Sequence, residues 1–542
     1  MNETKQDAAN GQGQAELMRR LVKVGIALSA ERDHERLVEQ ILLEAKSICN
    51  ADGGTLYLRE DDHERLRFAI MRSDSLDVAL GGTTGNEIPY PPLELYEEAS
   101  GRPNLRNVAT YVAHGGFTVN IRDAYEAENF DFSGTQAFDE QMGYRSTSFL
   151  TVPLKNHEDK VTGVLQLINA TDPESGEVVP FPPELQPVIE ALASQAAVAI
   201  DNQDLLDGQR ILLESFIRLI ATAIDLKSPY TGAHCQRVPV ISEMLAKAAC
   251  AASEGPFMDF DLDEEAFYEL YIAAWLHDCG KVTTPEYVVD KATKLETIYD
   301  RIETIRTRFE LVKRETEVTY LKALAEDGAD GAKLKEEFEA RLAQLDDDRG
   351  FVAHANIGGE FMDKEHIDRV HKISKIQFRD WDGEEKNFLS DDEVHNLCIP
   401  KGTLTPEERK VINHHIEATI EMLEKLPFPK HLSRVPEFAG GHHERMDGKG
   451  YPKGLTRDEM SIPARIMAIA DVFEALTASD RPYKDAKTLS ETIRIMSYMK
   501  RDGHIDPDLF DLFVESGIYK DYAKEYLKRE QIDEVDVEAM LG

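Results

Sequence analysis

Histidine and aspartate residues occur in five separated segments of this chain, in combinations that could converge on metal ions. Imidazole and carboxylate groups together bind divalent transition metals, and a pair of such ions can hold a phosphodiester and activate a water molecule. The pattern therefore predicts a metal-dependent hydrolase. The residues concerned are His234, His277, Asp278, His415, His442, His443 and Asp471.

The second of these segments lies at the predicted end of a helix. An apolar helical run ends at Gly280, a residue type that commonly follows the last turn of a helix. This arrangement leaves the side chains of His277, Asp278 and Lys281 together at the helix end. We expect them to need a polar or metal partner.

The later segments also place polar side chains where a partner is required. His442 and His443 precede residues 444–452, a stretch with glycine and proline that predicts a turn rather than a core strand or helix. Asp471 lies in the apolar run 466–473, where an unpaired carboxylate would be costly to bury. Metal binding would account for both features.

Three runs of residues resemble the HD-GYP family of cyclic di-GMP phosphodiesterases. They are His-Asp followed by Gly-Lys, the run His-His-Glu-Arg-Met-Asp-Gly-Lys-Gly-Tyr-Pro, and Asp-Val-Phe-Glu-Ala-Leu-Thr followed by Arg-Pro-Tyr-Lys. The resemblance covers residues 210–515. It implies that the seven residues above bind metal, that Asp278 is catalytic and bridges two ions, and that Lys281 is also catalytic. It further implies that Lys281, Arg481 and Lys484 bind substrate phosphate.

The resemblance also implies a cofactor and a reaction. Some family members have a glutamate four residues before the first histidine, whereas this chain has Tyr230, so we expect two metal ions rather than three. Iron or manganese is favoured, with zinc, nickel or magnesium as alternatives. The expected reaction is hydrolysis of cyclic di-GMP to pGpG, or further to GMP. The alternatives are a catalytically weak receptor for cyclic dinucleotides, a scaffold for other proteins, and a phosphohydrolase acting on another cyclic dinucleotide or a nucleotide.

The composition limits the partners of the protein. Its 101 acidic and 62 basic residues give a formal charge of −39, which opposes binding to a nucleic-acid polymer or an anionic membrane. No apolar run approaches the ~20 residues needed to cross a bilayer. The five cysteines lack the spacing of a disulfide framework or a zinc site. We therefore expect a cytoplasmic protein without membrane insertion.

The first 200 residues have a different pattern, in which a helix is followed by alternating strands over 54–58, 66–70, 148–154 and 161–169. Together with the run 138–146, these strands resemble a GAF domain. The resemblance implies a sensor for an unknown small ligand, with a cyclic nucleotide as one candidate. The alternative is a GAF domain that only dimerises.

A nearly continuous helical pattern over 185–226 carries an apolar stripe too long for one small domain to cover, which favours a homodimer. The alternative is a helix packed wholly on its own domain.

Within 295–401, Ile298, Ile302, Ile305, Phe309 and Val312 follow coiled-coil spacing. A second stripe at Leu334, Phe338, Leu342 and Leu345 completes a predicted antiparallel helical hairpin.

The predicted fold class is α+β, with an N-terminal α/β GAF domain containing an antiparallel sheet, a long connecting helix, and a C-terminal all-α metal-dependent phosphohydrolase domain. The predicted boundaries are a disordered segment over 1–15, the GAF domain over 16–200, a signalling helix over 201–226, the HD-GYP domain over 227–515 with a helical insertion over 295–401, and a C-terminal helical extension over 516–542.

Overall fold

The structure, a computed structural model, describes residues 3–60, 64–97, 99–227, 234–359, 361–479 and 486–541. The chain divides into two compact units, Met1–Leu212 and Leu213–Gly542. The N-terminal unit combines helices with an antiparallel sheet, whereas the C-terminal unit is mainly helical. The α+β class predicted from the sequence is therefore confirmed.

The N-terminal unit is built on one antiparallel sheet. Its strands have the order β3-β2-β1-β7-β6-β5, with β4 paired to β2 and β8 paired to β7. The strands are β1 Ala51–Arg59, β2 Arg65–Ser73, β3 Val78–Gly81, β4 Leu93–Glu94, β5 Val119–Ile121, β6 Phe149–Lys155, β7 Val161–Thr171 and β8 Val178–Val179. The helices are α1 Glu3–Ala30, α2 His34–Cys49, α3 Val108–Gly115, α4 Ser133–Met142 and α5 Gln186–Lys227, which continues into the C-terminal unit.

Both faces of this sheet carry a hydrophobic core, because successive strand residues point to opposite sides. On one side, Leu56, Leu165 and Leu167 pack with residues of α2 and α5. On the other side, Tyr57 and Val164 pack with residues of α3. The central strands β1 and β7 are thus covered by helices on both faces.

The first helix differs from the expectation for this segment. The sequence predicts disorder over 1–15, whereas α1 begins at Glu3. Alanine and glutamine recur in this stretch, and both have high helix propensity. The long connecting helix was predicted over 185–226, and α5 has 42 residues with nearly the same bounds.

The C-terminal unit is an assembly of helices. Those before and after the insertion are α6 His234–Cys250, α7 Glu264–Leu276, α8 Glu286–Val289, α13 Pro406–Asn413, α14 His415–Glu424, α15 Val435–Gly440, α16 Ile462–Thr477, α17 Leu489–Arg501, α18 Pro507–Glu515, α19 Ile518–Tyr526 and α20 Val537–Leu541. The insertion contains α9 Ile302–Leu324, α10 Gly331–Ile357, α11 Lys364–Ser374, β9 Gln377–Arg379, β10 Glu385–Asn387 and α12 Asp391–Leu397.

One core joins the helices outside the insertion. Ile241 of α6, Phe473 of α16 and Phe513 of α18 are buried within it. Tyr519 and Tyr522 belong to the same core, so residues 516–542, predicted as an extension, help to close it.

The insertion has a core of its own, formed by residues that include Ile305, Phe309 and Leu345. The predicted hairpin is present as α9 and α10, and the rings of Tyr320 and Phe338 stack between them at 4.6 Å. Ile298 is an exception, because it precedes α9 and is 97% exposed. The two-stranded sheet β9-β10 was not predicted.

Candidate metal centre

The structure brings all seven predicted metal-binding residues into one buried or half-buried cluster in the C-terminal unit. Most of them lie at the ends of helices, where the backbone turns and lets side chains from distant segments meet. His234 begins α6, His277 and Asp278 follow α7, His415 begins α14, His442 and His443 follow α15, and Asp471 lies within α16.

Asp278 lies between two groups of histidines. Its Oδ2 is 3.3 Å from Nε2 of His234 and 3.3 Å from Nε2 of His277. Its Oδ1 is 3.3 Å from Nε2 of His415, which clusters with His442 and His443. One carboxylate therefore faces both groups, which is the arrangement that a bridging ligand requires.

Asp471 completes the first group. Its Oδ1 is 3.2 Å from Nε2 of His234 and 3.9 Å from Nε2 of His277, and the two Nε2 atoms are 3.2 Å apart. Two imidazoles and two carboxylates thus converge on one small volume, and this donor set suits a divalent transition metal.

Hydrogen bonds at Nδ1 fix the orientation of three of the rings. Nδ1 of His277 donates to the carbonyl of Ala274 at 2.7 Å, and Nδ1 of His442 donates to that of Ala439 at 2.6 Å. His415 makes the corresponding bond to the carbonyl of the residue three positions earlier. Because Nδ1 carries the proton, Nε2 of each ring is left with a lone pair directed into the cluster, as in many metal sites.

His234 is oriented differently, by a carboxylate that was not predicted from the sequence. Its Nδ1 donates to Glu474, whose other oxygen accepts from Nε of Arg237 at 2.6 Å. Burial opposes ionisation of Glu474, but His234 and Arg237 outweigh it and lower the pKa of the carboxyl to about 2. Glu474 lies three residues after Asp471, on the same face of α16. This spacing is the feature of the sequence that could have linked Glu474 to the predicted metal-binding residues.

Several buried polar atoms of the cluster have no hydrogen-bond partner within the part of the chain that the structure describes. They are Oδ1 of Asp278, Nε2 of His415 and Nε2 of His442. Leaving buried polar atoms unpaired is costly, and all three are good metal ligands. The residues present therefore fit the metal ions that the sequence implies.

The protonation states of His442, His443 and Asp471 suit metal binding. His234 differs, because burial lowers its pKa but Glu474, Asp278 and Asp471 outweigh this effect and raise the pKa well above the usual value, so a metal ion would have to displace a proton from this ring. Burial lowers the pKa of His443 to about 4, and burial together with the neighbouring imidazoles holds the pKa of His442 well below its usual range. Burial opposes ionisation of Asp471, but His234, His442 and the hydrogen bond to His234 keep its pKa low. Neutral imidazoles and ionised carboxylates are the forms that bind metal.

Lys281 lies beside the bridging carboxylate, with its Nζ 2.5 Å from Oδ2 of Asp278. Burial disfavours the ammonium form, but Asp278 outweighs this effect and raises the pKa of Lys281. The backbone that follows Lys281 is tied to the end of α5, because Nζ of Lys227 donates to the carbonyls of Val282 and, at 2.6 Å, Thr284. Lys281 is thus a charged group held at the edge of the cluster.

Two glycines permit the close backbone approaches that assemble the site. A Cβ atom on Gly280 would lie 1.9 Å from the carbonyl oxygen of His415. A Cβ atom on Gly450 would lie 2.4 Å from the backbone nitrogen of Arg445. The buried carboxylate of Glu444 accepts from two backbone amides of the same loop. The loop that follows His443 is therefore folded tightly on itself.

The remaining predicted substrate contacts, Arg481 and Lys484, lie outside the described residues.

Among the residues that are described, no helix combines the length and the apolar character needed to span a bilayer.

Family models match two parts of the chain. The GAF domain model matches residues 33–200, and the HD domain model matches residues 391–509. The chain therefore carries an N-terminal GAF domain followed by an HD domain, as the sequence motifs indicate. His415, His442, His443 and Asp471 fall inside the second match, whereas His234, His277 and Asp278 precede it.

Curated relatives match shorter segments. A 3'3'-cGAMP-specific phosphodiesterase of Vibrio cholerae is 48% identical over 84 residues, which are 16% of this chain and 19% of the relative. A cyclic di-GMP phosphodiesterase of Pseudomonas aeruginosa is 40% identical over 119 residues, 22% of this chain and 28% of the relative. One of Thermotoga maritima is 41% identical over 98 residues, 18% of this chain and 26% of the relative. The chain thus spans less than a third of the length of each.

Proposed function

We propose that this protein is a metal-dependent phosphodiesterase that hydrolyses cyclic di-GMP to pGpG and then to GMP, under the control of its GAF domain. The reaction class is supported by the HD domain and by the activities named for the three relatives above. The fold alone would not define a substrate, because one fold serves many reactions.

The observation that carries the proposal is the position of Asp278. Its two carboxylate oxygens face separate histidine groups at 3.3 Å each, and Oδ1 has no hydrogen-bond partner among the described residues. Among the described residues, this buried carboxylate contacts Nε2 of three histidines and Nζ of Lys281. Such an arrangement is suited to a carboxylate shared by two ions.

The residues of the cluster have different roles in the proposed reaction. When bound, two divalent ions supply Lewis-acid chemistry that activates water and offsets charge on the phosphate. The seven predicted ligands would hold the ions, and Glu474 would keep His234 oriented for this purpose. Lys281 places an ammonium group beside Asp278, where it can offset negative charge on a phosphate oxygen.

The direct test is incubation of the manganese-loaded full chain with cyclic di-GMP, followed by chromatographic separation of the products. We expect pGpG to form first and GMP to follow. The double variant His277→Ala, Asp278→Ala should lose turnover and keep its far-UV circular dichroism. The matched control is Asp368→Ala, His371→Ala, which removes the same residue types from the exposed face of α11. Normal activity in the first variant would refute the assigned centre.

A second substrate deserves comparison because one relative is named as specific for 3'3'-cGAMP. Both molecules present the same phosphodiester to the metal centre, so the ligands identified above do not distinguish them. Parallel assays with the two substrates should give a higher kcat/KM for cyclic di-GMP. A higher value for cGAMP would reassign the substrate and leave the metal centre intact.

Control by the GAF domain requires a ligand site, and a cavity of about 600 Å³ in the N-terminal unit could provide one. Aromatic rings line it, including Tyr57, Phe68 and Phe149, and Thr55 and Gln166 add buried polar groups. We expect a small ligand with a flat ring, and a cyclic nucleotide is the first probe to use. Gly134 lines the cavity and has open space around it, so Gly134→Trp should fill the cavity and abolish any thermal shift caused by cyclic GMP.

A further inference from the structure

A second cavity, of about 570 Å³, lies beside the metal centre. This volume is within the range of about 300–1,000 Å³ that small-molecule sites occupy. Its lining includes Lys410 and Asn413 of α13 and Tyr451 of the loop after His443. Thr283, whose hydroxyl donates to the carbonyl of Gly280, lines it as well.

Tyr451 connects this cavity to the metal centre. Its ring stacks on that of His443, with centroids 4.9 Å apart and planes 22° from parallel. Because His443 covers one face of the ring, the other face is the one available to the cavity. A tyrosine face is a good surface for stacking a nucleobase.

The polar groups of the cavity are suited to a nucleotide. Asn413 is half-buried, and its amide offers both donors and an acceptor for the edge of a base. Neither Asn413 nor Lys410 has a side-chain hydrogen bond or ion pair with any residue that the structure describes. The other charged groups of the lining, His414 and Glu417, pair with each other at 2.5 Å. Lys410 therefore supplies an unneutralised positive charge in a strongly acidic protein.

The wall that carries Lys410 and Asn413 is firmly anchored. Thr405 and Glu408 form a capping box at the start of α13. Both carboxylate oxygens of Glu408 also accept from Nζ of Lys291, at 2.8 and 2.9 Å, and the same ammonium donates to Asn396 of the insertion. The insertion thus helps to hold α13 in place.

We propose that this cavity is the subsite for the nucleotide that is not being cleaved, with its base between Tyr451 and Asn413 and its phosphate at Lys410. This proposal rests on the proposed function, because a cyclic dinucleotide has a second phosphate that the metal centre leaves unbound. It gives α13 a role in substrate binding and assigns specificity to residues outside the metal ligands.

The test compares two substrates of the manganese-loaded full chain. Cyclic di-GMP has the second phosphate, whereas bis(p-nitrophenyl) phosphate is a single phosphodiester without one. Lys410→Gln should raise KM for cyclic di-GMP about tenfold, the loss of one hydrogen bond to a charged group, with little change in kcat. KM and kcat for bis(p-nitrophenyl) phosphate should change much less. Lys425→Gln, which removes an exposed charge from α14, should alter neither substrate.

The outcomes separate this proposal from the proposed function. An equal loss for both substrates, or no rise in KM for cyclic di-GMP, would overturn the subsite. If the unsubstituted chain hydrolyses neither substrate, calorimetric titration with cyclic di-GMP decides. Binding that Lys410→Gln weakens about tenfold supports the subsite even though the enzymatic function has failed. An absence of binding overturns the subsite.

Discussion

Glu474 lies one helical turn beyond Asp471 on α16, and its carboxylate accepts a hydrogen bond from Nδ1 of His234. The bond directs Nε2 of His234 toward Asp278 and Asp471. Arg237 contacts the same carboxylate at 2.6 Å and keeps it ionised. Helices α6 and α16 are thus joined at the point where each contributes to the metal centre.

Replacing Glu474 by glutamine should weaken metal binding while the fold is kept. The substitution removes the charge that orients His234, and loss of such a partner typically lowers metal affinity about 10- to 100-fold. Titration of the metal-free protein with manganese should show weakening of one ion more than the other, because His415, His442 and His443 form the second group. Glu421→Gln, at an exposed position of α14, serves as the control. Equal affinity in Glu474→Gln and the unsubstituted protein would contradict this role.

Gly280→Ala should disrupt the site through the backbone. The added Cβ would lie 1.9 Å from the carbonyl oxygen of His415 and 2.6 Å from the backbone nitrogen of Thr419, so α14 would have to move. We expect the free energy of unfolding to fall by about 3 kcal/mol, measured by urea denaturation, with loss of bound metal. Gly350, in the middle of α10, has open space around it, and Gly350→Ala should instead stabilise the protein by about 0.5–1 kcal/mol.

Burial of Lys294 should make the stability of the protein against unfolding depend on pH. Burial lowers the pKa of this lysine from 10.5 to about 8, although its ammonium donates to the carbonyls of Leu397 and Ile399. The unfolded chain therefore binds more protons than the folded one between these two values, and stability rises with pH over that interval.

The measurement for Lys294 is the melting temperature of the unsubstituted protein and of Lys294→Met at pH 7.5, 8.5 and 9.5. The unsubstituted protein should gain about 4–8 °C relative to the variant across this range, corresponding to roughly 2 kcal/mol. Lys425→Met should show a constant difference from the unsubstituted protein. A constant difference for Lys294→Met as well would show that Lys294 keeps an ordinary pKa in the fold.

Helix α5 should mediate dimerisation. Leu205, Leu212, Phe216 and Leu219 are each more than half exposed on this helix, and apolar side chains repeated along a helix favour pairing with a second copy. Sedimentation velocity should show a dimer of the full chain at micromolar concentration. Leu212→Asp, Leu219→Asp should shift it to a monomer, whereas Gln209→Asp should not. A monomeric unsubstituted protein would exclude this use of α5.

The convergence of the seven predicted metal-binding residues could be anticipated from the sequence because they are encoded by short, distinctive runs. Two pairs of these residues are adjacent in the chain, His277 with Asp278 and His442 with His443. Each pair can therefore be recognised in the sequence without knowledge of the fold. Glu474 could not be identified in this way. Its role depends on the packing of α16 against α6, and within its own segment it resembles an ordinary helical residue.

Only part of the insertion could be predicted from the sequence. The apolar stripes of α9 and α10 predicted the hairpin because helical spacing repeats over several turns. Residues 346–400 gave no period, and they fold as the end of α10, two short helices and two strands of three residues each. Elements of that length contain too few repeats to establish a pattern. Their core forms from contacts between segments distant in sequence, such as Phe309 with Phe388.

Lys227, the last residue of α5, donates to backbone carbonyls on the turn that holds Lys281. The final turn of α5 is therefore joined directly to the backbone that follows Lys281. We expect a change in this final turn to alter the distance between the Lys281 ammonium and Asp278 while the seven predicted metal-binding residues stay in place. We therefore expect a change that acts through this connection to alter turnover more than metal affinity.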